Sequence, residues 1–228
     1  MTSTLTQPCL DASSAQMAWL LADLASVNSS ATPWVVVTVH QPYVNSNLAH
    51  SRSTEGAPIQ AAIERVLYES GKVDLLLSGH VHGEEVDGGG MGCRSMSLCP
   101  LSSLLHPSLP SCHPPAYERS SRTLNYTCVD DPKAPYYVTI GDGGNREGLA
   151  STWETPQPAW SLFRQASYGH GVLTVLNGTS LEWTWFQNPA LTPVKLDSFT
   201  LTKGVSEPCG SGLTGTPRFL SSLRGAAA

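Results

Sequence analysis

The sequence predicts an α/β fold, and three observations carry that prediction. Two amphipathic segments alternate with two short apolar runs in the order helix, strand, helix, strand. Neither apolar run has the polar alternation of a half-exposed strand, so both read as strands buried on two faces and lying parallel in one sheet. Three further β-rich runs, separated by Gly, Asn and Asp turns, follow in the second half of the chain.

Ser13 to Val27 is the first helix. Ser13 and Gln16 have capping-box spacing, and Met17, Leu20, Leu21 and Leu24 recur at helical intervals. Pro33 then introduces "WVVVTVH", the first strand. Ala57 to Gly71 is the second helix, with Ile59, Ile63, Val66 and Leu67 on one face and Gly71 as its stop. Val73 to Leu77 is the second strand. "PYYVTI", "HGVLTVLN" and "LEWTWFQ" supply the later strands, and in the last of these Leu181, Trp183 and Trp185 alternate with Glu182 and Thr184.

Residues 83–115 break this texture. They show neither helical nor strand period and are dense in Gly, Ser, Pro and Cys, which marks a disordered insert and not a packed element. A zinc knuckle built from Cys93, Cys99, Cys112 and His113 has poor ligand spacing. The domain spans 1–203, and the Gly/Ser/Pro-rich stretch 204–228 reads as a disordered tail.

Composition narrows the function. With 228 residues, 40% of them hydrophobic and 14% charged, the chain can bury a sizeable core. A net charge of −5 gives no electrostatic reason to expect a nucleic-acid partner. No apolar run approaches the roughly 20 residues of a membrane helix, and "MTSTLTQPCLDASS" shows no signal peptide. Asn28, Asn125 and Asn177 head glycosylation sequons, which fits a secretory route. Six cysteines are too few for a disulfide scaffold.

Histidines close both early strands: His40 after "VVVTV", and His80 and His82 in "LLLSGHVH". Ligand chemistry in open α/β sheets collects beyond the carboxyl ends of the strands. In extended chain, residues i and i+2 point to one side, so His80 and His82 can share one metal or serve a close pair, with His40 reaching the same spot. Neutral imidazole suits zinc, iron and manganese.

The motifs "VVVTVHQPYVNSN", "GHVH", "AYERS", "YYVTIGDGGNREGLA" and "SYGHG" with "LEWTWFQN" together resemble the carboxyl-terminal half of a purple acid phosphatase, one of the calcineurin-like metallophosphoesterases. The resemblance runs from about Gln16 to Asn188, outside the insert. It implies part of a four-layer α/β/β/α sandwich and a dinuclear centre of Fe(III) with Zn, Mn or Fe(II), hydrolysing phosphate monoesters at acidic pH. His40 matches the ligand of the family's "VxxH" motif, and His80 and His82 match the "GHxH" ligands, which go to different metals. His50 lies where plant-type members carry a histidine that contacts phosphate and protonates the leaving group. His170 matches a supporting residue, and Asp142 in "GDGGN" reads as a turn residue and not as a ligand. The resemblance further implies a secreted or vacuolar protein, with a homodimer open.

The family's remaining ligands, an Asp from "GDxG", an Asp and Tyr from "GDxxY" and an Asn from "GNHE", have no counterpart before His40. The expectation is therefore an incomplete site, with a non-catalytic binding or interaction module as the alternative. In the family "GHVH" runs directly into "AYER"; here 33 residues intervene, most simply explained as intron-derived sequence, otherwise as a lineage-specific loop over the site.

Overall fold

A computed structural model describes residues 14–48, 50, 52–81, 116–144, 152–188, 192–205 and 209. His82, the insert 83–115 and the tail 204–228, apart from Gly204, Val205 and Cys209, lie outside the described residues.

Two helices and the first strands follow the sequence closely. Helix α1 is Ala15–Ser26, and its cap is Ser14, whose hydroxyl accepts the Met17 N–H at 3.2 Å. The cap thus falls one residue after the expected Ser13. Helix α2 is Ala57–Ser70, entered through a π-helical turn at Arg52–Gly56 and ended by Gly71 at φ 60°. Strands β1 (Val36–Val39) and β2 (Leu75–Ser78) pair in parallel, Val36 opposite Leu75.

The sheet is larger and more mixed than the apolar runs suggest. Strands β3 (Ala116–Leu124), β4 (Thr127–Cys128), β5 (Tyr136–Ile140) and β6 (Ser161–Ala166) join it in the order β1-β2-β5-β3-β4, with β6 also on β3. β5 runs parallel to β2, whereas β3 is antiparallel to both β5 and β6. A second sheet, β7 (Gly169–Val175), β8 (Ser180–Gln187) and β9 (Val194–Thr202), is an antiparallel meander.

One expectation about β1 fails. It lies at the sheet edge among the described strands, so Val36, Val37 and Val39 are only half-buried and Thr38 is exposed. The apolar composition that suggested two covered faces instead lines an open cavity of about 630 Å³ between α1, β1 and α2.

Two apolar layers hold the elements together. The helices pack on one face of the large sheet through Met17, Leu24, Ile59, Ile63, Leu67 and Leu76. The small sheet covers the other face through Trp183, Trp185, Leu181 and Phe199 against Leu75, Tyr117 and Val138. The described residues therefore form an α/β sandwich of three layers, helices, sheet and sheet. Leu181, Trp183 and Trp185 point inward as the alternation predicts.

Polar links cross these layers. Asp197 of β9 accepts Tyr117 Oη at 2.7 Å and Arg119 Nε at 2.8 Å, so a carboxylate buried in the second sheet is answered by a guanidinium from the first. Cys128 and Cys209 form a disulfide with a Cα–Cα distance of 5.7 Å, fixing the chain beyond β9 to β4. The chain leaves the described region at Val81 and returns at Ala116, and these two residues are hydrogen-bonded, Ala116 N–H to Val81 O at 3.3 Å.

Candidate metal centre

The site forms where the parallel strands β1 and β2 end. Past Val39 and Ser78 the two chains stay joined by Gly79 N–H to His40 O at 3.0 Å, which sets His40 and His80 side by side. His80 takes a left-handed backbone, φ 66°, and is followed by a tight Val81 N–H to Gly79 O bond at 2.8 Å. The chain is thus bent and not extended at His80, while the i, i+2 relation expected between His80 and His82 lies outside the described residues. Gly141, at the end of β5, permits the bend: a Cβ on it would stand 2.3 Å from Val81 O.

His40, His50 and His80 converge, while His82 lies outside the described residues. His80 Nδ1 is 3.1 Å from His40 Nε2. The His50 ring lies 4.4 Å from the His80 ring, centroid to centroid, although His50 comes from a loop and is buried. The residue that sequence reasoning missed is Glu55. Its Oε2 is 3.0 Å from His80 Nε2 and 3.3 Å from His50 Nδ1. A lone glutamate five residues after a loop histidine has no recognisable ligand spacing. Only the π-helical turn at Arg52–Gly56 brings the two together.

The donor set suits a first-row metal ion. Burial and then the neighbouring His50 and His40 imidazoles hold His80 below the usual histidine range, against an opposing pull from Glu55. It is therefore neutral at physiological pH and has a lone pair to give. Two imidazole nitrogens on one tetrahedral zinc, each about 2.0–2.1 Å from the ion, stand roughly 3.3 Å apart. The 3.1 Å between His40 and His80 is close to that spacing. On the other side of His80, ligand atoms of His50, Glu55 and His80 lie within 4.8 Å of one another.

Two other residues noted in the sequence lie elsewhere. His170, on β7, pairs its Nδ1 with Asn188 Oδ1 at 2.8 Å and stacks on Phe186. Asp142 is more than a turn residue. It is fully buried, accepts Trp185 Nε1 on Oδ2 at 2.6 Å, and its Oδ1 has no partner among the described residues. Its backbone oxygen also accepts Gly169 N–H at 3.0 Å, so Asp142 latches β5 to the second sheet.

Burial raises the Asp142 pKa from 3.8 to about 6, only partly offset by the Trp185 N–H. The folded chain then holds this proton more tightly than the unfolded chain. Stability should fall as pH rises from about 4 to 6, by at most about 3 kcal/mol, and level off above. Asp142→Asn should flatten that slope in urea unfolding series across the window; an unchanged slope would assign the titration to another group.

Comparisons with known proteins point to one family. Residues 134–198 match the family described as iron/zinc purple acid phosphatase-like protein C. The chain is 39% identical over 199 residues to purple acid phosphatase 18 of Arabidopsis thaliana, covering 87% of this chain and 37% of that protein. It is 36% identical over 199 residues to Fe(3+)-Zn(2+) purple acid phosphatase 12 of the same plant, covering 82% of this chain and 34% of the relative. The chain therefore spans about a third of the length of these curated relatives. Among solved structures, the purple acid phosphatase PPD1 from yellow lupin (Lupinus luteus) seeds superposes with a TM-score of 0.59 at 19% identity. That match covers 83% of this chain and 28% of the lupin chain, and it supports the fold.

Proposed function

We propose, from the kinship of this chain with the carboxyl-terminal part of the purple acid phosphatases, that it carries that part of a phosphoric monoester hydrolase site. The observation that supports it most is the convergence of His40, His80, His50 and Glu55 at the ends of two parallel strands. His40 and His80 would hold one ion, and His82 the second of a dinuclear pair, Fe(III) with Zn, Mn or Fe(II). Such a pair supplies Lewis acidity and a nucleophile at low pH.

The chain's own residues do the rest. His50, buried and beside Glu55, is placed to hold a proton for the leaving alkoxide, and Glu55 orients its ring through Nδ1. The three imidazoles of His40, His80 and His82 cannot by themselves balance two hard cations. Full turnover is therefore proposed to need the acidic, Tyr and Asn ligands that the family supplies from its amino-terminal part.

Secretion and glycosylation belong to the same reading. The Cys128–Cys209 disulfide suits an oxidising compartment, and Asn28, Asn125 and Asn177 are all exposed. A secreted or vacuolar glycoprotein, with a homodimer open, is the setting proposed. No helix among the described residues is long and apolar enough to cross a membrane.

The test is hydrolysis of p-nitrophenyl phosphate near pH 5 by the chain loaded with Fe(III) and Zn(II), with and without chelator. Weak, chelator-sensitive turnover supports the hydrolase. Tight metal binding with no turnover would instead favour the binding module.

A further inference from the structure

The loop that carries His50 is fastened to the sheet by a carboxylate that no strand pairing requires. Glu118, in the middle of β3, is 2% exposed. Its Oε2 accepts the backbone N–H of Ser46 at 2.7 Å, and its Oε1 accepts the hydroxyls of Ser46 at 2.6 Å and Ser161 at 2.5 Å. Burial raises its pKa, and these donors together with the nearby Arg164 pull it back. Short contacts from several donors are what an ionised acceptor makes.

From Ser46 the connection continues to the site in two steps. Asn47 N–H donates to Asn45 Oδ1 at 2.9 Å, and Asn45 Nδ2 donates to the backbone oxygen of His50 at 3.1 Å. The far side of the loop is braced by Glu154 N–H to Ser46 O at 2.8 Å and by Arg164 Nη1 to Ser46 Oγ at 3.2 Å. An apolar residue at 118 would fill the same space without the cost of burying a charge. It could not hold the N–H and hydroxyl of Ser46 in one orientation.

We propose that Glu118 is a positioning residue: through Ser46 and Asn45 it sets the His50 ring against His80 and Glu55. This rests on the reading of His50 as a site residue. The sequence motif "AYERS" thereby has a part in the site although none of its side chains enters the histidine cluster.

The test uses the full chain with histidine-labelled NMR on wild type, Glu118→Gln and Asn45→Ala. Glutamine keeps the shape but removes the charge and forces the Ser46 and Ser161 hydroxyls, donors to Glu118, to turn and accept from its N–H₂, so the charge-assisted contacts that fix the loop are lost. The expected result is loss of the His50–His80 ring-to-ring cross-peak and a shift of the His50 resonances toward free imidazole, with His170 unmoved as the folding control. Asn45→Ala, which leaves the Glu118 contacts in place, should displace His50 in the same way.

A folded Glu118→Gln chain with native His50 signals would overturn the proposal. If that variant does not fold, Asn45→Ala decides: an undisplaced His50 overturns it. None of these readouts depends on phosphate hydrolysis. A chain without turnover would count against the function proposed above and leave this test intact.

Discussion

His80→Ala is expected to abolish high-affinity metal binding and any chelator-sensitive phosphatase activity. His80 is the corner of the cluster, with one nitrogen 3.1 Å from His40 and the other 3.0 Å from Glu55. Removing it separates the His40 side from the His50–Glu55 side, so no pair of ligands on one ion survives across it. Loss of a supporting partner already weakens metal affinity by about 10- to 100-fold, so loss of the ligand itself should exceed about 100-fold. Zn²⁺ titration calorimetry on His80→Ala and on His170→Ala, as an off-site control, reads the difference. Equal affinities would show that zinc binds elsewhere.

Trp185→Ala is expected to leave the chain without a cooperative unfolding transition at 25 °C. Trp185 is fully buried and stacks on Tyr117 with ring centroids 4.5 Å apart and planes 10° from parallel. Truncating a buried tryptophan costs about 3–5 kcal/mol through lost burial and a residual cavity. Here the same change also removes the Trp185 N–H from the Asp142 carboxylate, adding about 1–3 kcal/mol for a buried hydrogen bond left unmade. The sum approaches the whole stability of many domains, about 5–15 kcal/mol. Trp185→Phe separates the two effects, since it keeps ring packing and loses the N–H. It should fold, with a thermal midpoint lowered by the smaller amount. A near-native midpoint for Trp185→Ala would mean that the second sheet contributes little to the fold.

What the sequence could show depended on whether the cause was local. Both helices are legible because capping serine, apolar spacing and the Gly71 stop are encoded within about one turn of where they act. The β1–β2 pairing is legible because two apolar runs joined by a helix have few other arrangements. β9 is hidden because Asp197 sits at an inward position that strand propensity disfavours. Its justification, Tyr117 and Arg119, lies 80 and 78 residues away. β6 is hidden for a similar reason, with Arg164 and Gln165 inside a short run.

The same division holds at the site. His40 and His80 are legible as strand-end histidines, and β1 departs from expectation only in its cover, since composition cannot reveal which strand lies at an edge. Glu55 and Glu118 are illegible because each works through a contact made in three dimensions. Glu55 reaches His80 across 25 positions, and Glu118 reaches Ser46 across 72.

The hydrogen bond between Ala116 and Val81 sets the two ends of the segment 82–115 side by side: exit and re-entry of the chain are one hydrogen bond apart. Chain that leaves and returns at adjacent points closes a loop without asking β2, β3 or β5 to move. The closure term grows only with the logarithm of length, each doubling adding about 0.6 kcal/mol. The interval between "GHVH" and "AYERS" is accordingly a place where chain length is decoupled from architecture, a port at the rim of the histidine cluster where sequence can be gained or lost while the scaffold stays the same.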